Sequence, residues 1–208
     1  LVDLILIRHG ECEASAPGWM NPANGQMDPP LTDLGRRQTL ALAPRIASMR
    51  PAVILSSDLS RTLDTAEVLS VFSGCPHEVD PAFREIHMGE IWTSGWDGFL
   101  EEHAAWRLHK EDLPYPGGEN GADVWARCRL SLETLTAQEA GPIVIVTHGG
   151  VIRSVVCGML DLPQQRRFFL GAPVVNTSLT WIRTGEPWWP GHLHIFNDFS
   201  HLDSTLLR

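Results

Sequence analysis

Basic charge is what this chain lacks. Its 208 residues carry 16 Lys and Arg against 25 Asp and Glu, a formal net charge of −9. Nucleic acid and anionic membrane both need a basic face, so neither is expected as the main partner. A small anionic ligand in a local basic pocket remains compatible with that balance. Cysteine is sparse as well. Cys12, Cys75, Cys128 and Cys157 are scattered, with no C-x-x-C pair, which excludes a disulfide framework and points to reduced thiols in the cytoplasm. No apolar run is long enough to span a bilayer. Val2–Ile7 is interrupted by Asp3 and is too short for a signal-peptide core, so it reads as a strand. Internal repeats, low-complexity tracts and interdomain linkers are also missing.

What is present suits one soluble α/β domain over residues 1–208. The chain is 43% apolar and 20% charged, ordinary for a globular protein with a full core. Leu4–Ile7 reads as a first strand, apolar throughout as a central parallel strand should be. Pro17, Pro22, Pro29 and Pro30 with Gly18 and Gly25 make residues 14–30 a loop. Thr32 suits a helix N-cap, with a helix to about Ser48. Val53–Leu55 is a short strand, and Ser57 or Asp58 is the expected cap of a helix to about Phe72. Residues 81–98 are irregular, and a helical stretch is expected from about Phe99 to Lys110. Pro114-Tyr115-Pro116-Gly117-Gly118 breaks it, before a helix from Gly121 to about Gln138. Ile143–Val146 is a second central strand and Val151–Leu160 its helix. Leu179–Ile182 and Leu193–Phe196 are late strands. This alternation implies a three-layer α/β/α sandwich with a central, mostly parallel sheet, and a lid-like insertion at about 90–118.

Two positions carry the chemistry. Arg8-His9-Gly10-Glu11 follows the first strand, and His148-Gly149-Gly150 follows Ile143–Val146. Ligands in open α/β sheets bind beyond the carboxyl ends of parallel strands. If these strands are neighbours, both imidazoles and Arg8 converge on one pocket suited to a phosphoryl group. The backbone N–H groups after His148, from Gly149 at a helix start, add an anion site.

The ordered motifs resemble those of the histidine phosphatase superfamily, also called phosphoglycerate-mutase-like. They are Arg8-His9-Gly10-Glu11, Leu31-Thr32-x-x-Gly35-x-x-Gln38, and Ser56-Ser57-Asp58-Leu59-Ser60-Arg61-Thr62-x-x-Thr65-Ala66. Glu85-x-x-x-Gly89, Pro116-Gly117-Gly118-Glu119 and Val146-Thr147-His148-Gly149-Gly150 follow in order. On this reading His9 is the nucleophile that forms a phosphohistidine. Arg8 and Arg61 hold phosphate oxygens bidentately. A protonated His148 stabilises the transition state, and with the two arginines it lowers the pKa of His9. Glu85 is the general acid and then the base that activates water; a phosphate dianion beside it favours its protonated form. Glu90 lies close by in the chain, and Glu11 is expected to cap or pair. The resemblance also implies no metal and no cofactor, because the arginines supply the cationic charge.

One departure stands out. The family usually carries Asn six residues after the nucleophile, where this chain has Ser15, and the loop before Asp28 looks longer than usual. Asn21, Asn24 or, more weakly, Ser15 is expected to restore the phosphate contact. Residues 90–118 offer only Arg107 and Lys110, with His103 and His109, in place of a mutase's paired arginines. The expected activity is therefore that of a histidine acid-type phosphatase, a phosphoric monoester hydrolase acting on a small phosphorylated metabolite. Sugar phosphates, phosphoglycerate, phosphoserine and ribazole phosphate are the candidate substrates. A cofactor-dependent phosphoglycerate mutase and a non-catalytic phosphate- or phosphoprotein-binding module are the alternatives. His192-x-His194 is expected to be a structural pair rather than a metal site, and Cys12 a packed thiol. Trp92, Trp96 and Trp106 fall in the lid, and the Trp188-Trp189 region would be the contact surface of a homodimer.

Overall fold

The computed structural model describes residues 1–13, 17–21, 25–91, 108–138, 141–171, 173–185 and 191–207. In chain order, β1 (Val2–Arg8) precedes a short hairpin of β2 (Met20–Asn21) and β3 (Gln26–Met27), then α1 (Asp33–Met49). β4 (Val53–Ser56), α2 (Ser60–Ser73) and β5 (His77–Val79) follow. After these come α3 (Gly121–Gln138), β6 (Ile143–Thr147) and α4 (Gly149–Met159). β7 (Leu179–Thr184) and β8 (His192–Asp198) close the series.

Six strands form one sheet in the order β5-β4-β6-β1-β7-β8. The pairings β5–β4, β4–β6 and β6–β1 are parallel, whereas β7 joins β1 and β8 joins β7 antiparallel. The expected sandwich is therefore present, with an antiparallel hairpin on one edge. Side chains on a strand alternate between faces, and here both faces are covered. Leu4, Leu6, Ile143 and Ile145 pack with Val124 and Cys128 of α3 and Val151 and Val155 of α4. Ile5, Ile7, Val144 and Val146 pack with Leu42 and Ile46 of α1 and with Leu69 of α2. That is why β1 and β6 are apolar at every position rather than alternating. Truncating a fully buried member such as Ile145 to Ala should cost about 2–5 kcal/mol.

Helix starts separate what local sequence fixes from what it does not. Thr32 caps α1 as expected, its hydroxyl accepting from Gly35 N at 3.0 Å. α2 does not use Ser57 or Asp58; it begins at Ser60, behind Leu59, which offers no side-chain cap. The distant Asp28 takes that role, accepting from Ser60 N at 2.7 Å and from the Ser60 hydroxyl at 2.9 Å. Ser57 and Asp58 are committed elsewhere. β5 was not expected, because His77-Glu78-Val79 is a short, largely solvent-facing edge without apolar alternation. The 3-10 turns Pro81–Phe83 and Gln164–Phe169 were also unforeseen.

The expected helix from Phe99 lies outside the described residues up to 107, and residues 108–110 form a turn. Trp92, Trp96, His103, Trp106, Arg107 and the Trp188-Trp189 pair also lie outside them. All four cysteines are free, and burial pushes the Cys12 thiol pKa up. His192 and His194 meet edge to face at 4.7 Å, and His194 stacks on Trp181 at 5.0 Å. Among the described residues no helix is long and apolar enough to cross a membrane.

Candidate active site

The register of the central pair builds the site. Arg8 is opposite Thr147, so His9 and His148 emerge side by side one residue beyond the sheet. Their ring centroids are 5.1 Å apart, and both are buried. His9 N donates to Thr147 O at 3.0 Å, tying the two turns together. Behind His9 the chain passes very close to α1. A Cβ on Gly10 would fall 2.6 Å from the Gly35 carbonyl oxygen. Thr32 and Gln38 then hold Glu11: the Thr32 hydroxyl donates to its carboxylate at 2.9 Å, and Gln38 Oε1 accepts from its N–H at 2.9 Å. The Leu31–Gln38 motif thus secures the turn that carries His9, and Glu11 is paired.

Hydrogen bonding fixes the tautomer of His9. Nδ1 lies 2.7 Å from the Gly10 carbonyl, which can only accept, so Nδ1 carries the proton. Nε2 keeps its lone pair, which accepts from Arg61 Nε at 3.2 Å. Burial first, then Arg61 and Arg8, hold its pKa well below the usual imidazole range. Arg61 is itself positioned by the Met27 carbonyl at 3.0 Å and by Asp28 at 3.9 Å. Arg8 donates through Nη1 to Val174 O, while its buried Nε has no partner among the described residues. Burial lowers both guanidinium pKa values, but from so high a starting point that both stay charged at neutral pH. Two cations and a neutral imidazole, whose Nε2 lone pair a phosphoryl group can take over from Arg61, suit an anion that is also an electrophile.

His148 is set by a hydroxyl relay. Thr62 Oγ1 sits 2.6 Å from the Leu59 carbonyl and 3.0 Å from that of Ser57, so its one proton is committed to a carbonyl. It must therefore accept from Ser57 Oγ at 2.7 Å, and Ser57 Oγ then accepts from His148 Nε2–H at 2.8 Å. Nδ1 of His148 is left unprotonated, buried and without a partner among the described residues. Burial first, then Arg61, His9 and Arg8, hold His148 well below the usual imidazole range. The protonated His148 expected from sequence is thus not the resting form. Burial and these three positive or titratable neighbours favour the neutral ring until an anion arrives.

Glu85 stands across the pocket on a braced loop. Its carboxylate accepts from Ile86 N at 2.9 Å and lies 3.5 Å from Gly150 N, at the start of α4. Arg84 Nε donates to Asp58 at 2.8 Å, which is why Asp58 is not the cap of α2. Arg127 of α3 donates to the carbonyls of Ala82 and Arg84 and pairs with Glu119. Glu119 N donates to His87 O, and the Glu119 carboxylate accepts from His87 N at 2.9 Å. A Cβ on Gly89 or Gly118 would collide with the facing backbone of that contact. The Pro116–Glu119 motif therefore holds the loop that carries Glu85.

Residues 4–192 match the family described as the histidine phosphatase superfamily, branch 1. The chain belongs to the histidine phosphatase superfamily. A glucosyl-3-phosphoglycerate phosphatase of Mycolicibacterium vanbaalenii is 38% identical over 177 residues, covering 77% of this chain and 75% of the relative. A metal-independent phosphoserine phosphatase of Arabidopsis thaliana is 29% identical, covering 99% of this chain and 85% of its own. Relatives named as probable phosphoglycerate mutase also match, one from Escherichia fergusonii at 31% identity over 100% of this chain and 98% of its own. Among solved structures, a mycobacterial glucosyl-3-phosphoglycerate phosphatase complexed with VO3 superimposes with a TM-score of 0.79 at 30% identity. It covers 94% of this chain and 98% of that one.

The structure brings together Arg8, His9, Arg61, Glu85 and His148. Gly149 approaches Arg8, a Cβ there lying 3.8 Å from Arg8 Nε. Asn21 sits in the β2–β3 hairpin opposite Gln26, while Ser15 and Asn24 lie outside the described residues. Sequence reasoning missed Asp28, Ser57 and Arg127, which orient Arg61, His148 and the Glu85 loop. Ser57 and Asp28 fall within quoted motifs or beside them, but nothing local shows which partner each will take.

Proposed function

We propose that this superfamily member is a metal-independent phosphomonoesterase of the histidine acid type, acting on a small organic phosphate. The observation that carries the proposal is the His9 imidazole, whose Nδ1 proton is tied to Gly10 O while its Nε2 lone pair faces the arginines. In this reading Nε2 attacks phosphorus in line, forming the P–N bond as the ester P–O bond breaks. Glu85 gives its proton to the departing alkoxide oxygen. The resulting carboxylate takes a proton from water, whose oxygen attacks phosphorus. The P–N bond then breaks, releasing orthophosphate and restoring neutral His9. Arg8 and Arg61 neutralise the non-bridging oxygens, supplying the positive charge that a divalent ion supplies in other phosphatases. His148 donates to the same oxygens once it takes a proton at Nδ1.

Relatives named as phosphatases support hydrolysis. We take residues 1–208 as a single domain; most of the lid expected at about 90–118 lies outside the described residues. Free cysteines and the acidic balance suit a cytoplasmic enzyme without nucleic-acid or membrane partners. The test is phosphate release from a panel of phosphomonoesters without added metal, beside 3-phosphoglycerate with bisphosphoglycerate. Hydrolysis that disappears in H9A supports the reading. Rapid interconversion of 2- and 3-phosphoglycerate with little release would make the chain a mutase, and turnover retained in H9A would remove the phosphohistidine.

A further inference from the structure

The hydrogen bond that fixes the His9 tautomer is the end of a longer chain of amides. His9 Nδ1–H donates to Gly10 O at 2.7 Å. That carbonyl belongs to the Gly10–Glu11 peptide, whose own N–H, on Glu11, donates to Gln38 Oε1 at 2.9 Å. Gln38 Nε2 in turn donates to Leu206 O at 2.9 Å. A main-chain N–H can only donate and a main-chain carbonyl can only accept. The Gln38 side chain therefore has one orientation, with Oε1 toward Glu11 and Nε2 toward Leu206. Gln38 is buried on α1, and Leu206 is presented by a turn in which its N–H donates to Asp203 O at 3.1 Å.

The main chain at His9 is already held by other contacts. Its N–H donates to Thr147 O at 3.0 Å and its carbonyl accepts from Asn176 Nδ2 at 3.0 Å. Gly10 N donates to Thr65 Oγ1 at 3.2 Å. Gln38 instead holds the peptide whose carbonyl meets the ring. Hydrogen bonds in series polarise one another, most of all in a low-dielectric interior. An amide that donates becomes a better acceptor, so Leu206 O strengthens Gln38 Oε1, and Gln38 strengthens Gly10 O. Burial first, then Arg61 and Arg8, depress the basicity of His9, and the Gly10 bond works against them. Attack on phosphorus gives the His9 ring positive charge, and Nδ1–H then becomes a charge-assisted donor. A stronger acceptor at Gly10 O is therefore felt more as the P–N bond forms than before, which is the condition for raising a rate.

We propose that Gln38 is a positioning residue for the nucleophile, passing the polarisation of the Leu206 carbonyl through the Gly10–Glu11 peptide to the Nδ1 proton of His9. This rests on the phosphatase reading of the same site, in which His9 Nε2 attacks phosphorus. Gln38 acts through that peptide rather than on the substrate. The Nδ1 proton stays on the ring throughout, and only the strength of its hydrogen bond changes.

The test uses Q38M and Q38E in the full chain. Methionine matches glutamine in length and removes both bonds. Glutamate, buried against the Leu206 carbonyl, keeps its proton for that oxygen and accepts from Glu11 N through the other. Nitrophenyl phosphate reads formation of the P–N bond, because its leaving group needs little protonation. Q38M should lower kcat on it about tenfold, as expected for one buried hydrogen bond. The inhibition constant of inorganic phosphate should stay within about threefold, because Arg8 and Arg61 keep their places, and Q38E should recover most of the loss. An unchanged kcat in Q38M, or a Q38E as slow as Q38M, would overturn the proposal. A second measurement needs no variant to fold. Vanadate accepts a fifth ligand as phosphorus does, and on binding the unaltered chain it should move the NMR resonances of Glu11 N–H and Gln38 Nε2–H downfield. No movement at Gln38 would also overturn the proposal. Those shifts, with no ester hydrolysed by the unaltered chain, would leave the relay standing and the phosphatase reading refuted. Hydrolysis without the shifts would do the reverse.

Discussion

Replacing Gly150 by Ala should disable the acid without disturbing the nucleophile. A Cβ at this position would lie 2.6 Å from Glu85 Oε1 and 3.0 Å from Ile86 Cγ2. An ordinary C···O contact is about 3.3 Å, so the carboxylate has to retreat by about 0.7 Å. Helical backbone tolerates Ala well, and the three atoms nearest the added methyl belong to Glu85 and Ile86, not to His9, Arg8 or Arg61. A displacement approaching 1 Å in a reacting group costs on the order of 100-fold, so a loss of about 50-fold is expected where protonation matters. Glycerol 3-phosphate, with an alkoxide leaving group, should show that loss in kcat/KM. Nitrophenyl phosphate, whose leaving group needs little protonation, should lose less than about fivefold, within the range that general acid catalysis governs. Equal losses on both esters would show that Gly150 supports the phosphate site rather than the acid. No loss on either would show that Glu85 is not the proton donor.

His148 should take up a proton when phosphate binds. Its resting ring is neutral with Nδ1 bare, so donation to a dianion requires about one proton per phosphate bound at pH 8. Calorimetry in buffers of different ionisation enthalpy measures this, and zero uptake would refute it. Removing the relay with S57A should weaken phosphate binding by about tenfold, the worth of one hydrogen bond in a buried site. Stability should fall in mild acid. Burial pushes His201 down to about 4 and moves His9 and His148 in the same direction. A folded-state pKa below the unfolded value of about 6.5 stabilises the fold above that pH and is lost as pH falls toward the folded value. The unfolding free energy should therefore drop between pH 6.5 and 4, with His201 contributing about 1–2 kcal/mol after allowance for its solvent-facing part. Urea titrations at pH 7 and 4.5 check this, and H201Q should shrink the difference between them.

The sequence by itself determined the sandwich, the central strands and the residues at their ends. Those features are written locally. An unbroken apolar run such as Ile143–Val146, followed by His148-Gly149-Gly150, specifies a buried parallel strand and a helix start within a few residues. Thr32 caps its own helix for the same reason. What the tertiary structure decided is non-local. Asp28, not Ser57, caps α2, because the hydroxyl of Ser57 is already bound to His148 from another strand. Arg127 and Glu119 brace a loop that lies far from them in the chain. The neutral state of His148 depends on burial among Arg8, Arg61 and His9, a field that exists only once three separate segments have met. Local patterns fix which backbone forms, whereas partner choice and protonation follow from distances between segments that the chain brings together only on folding.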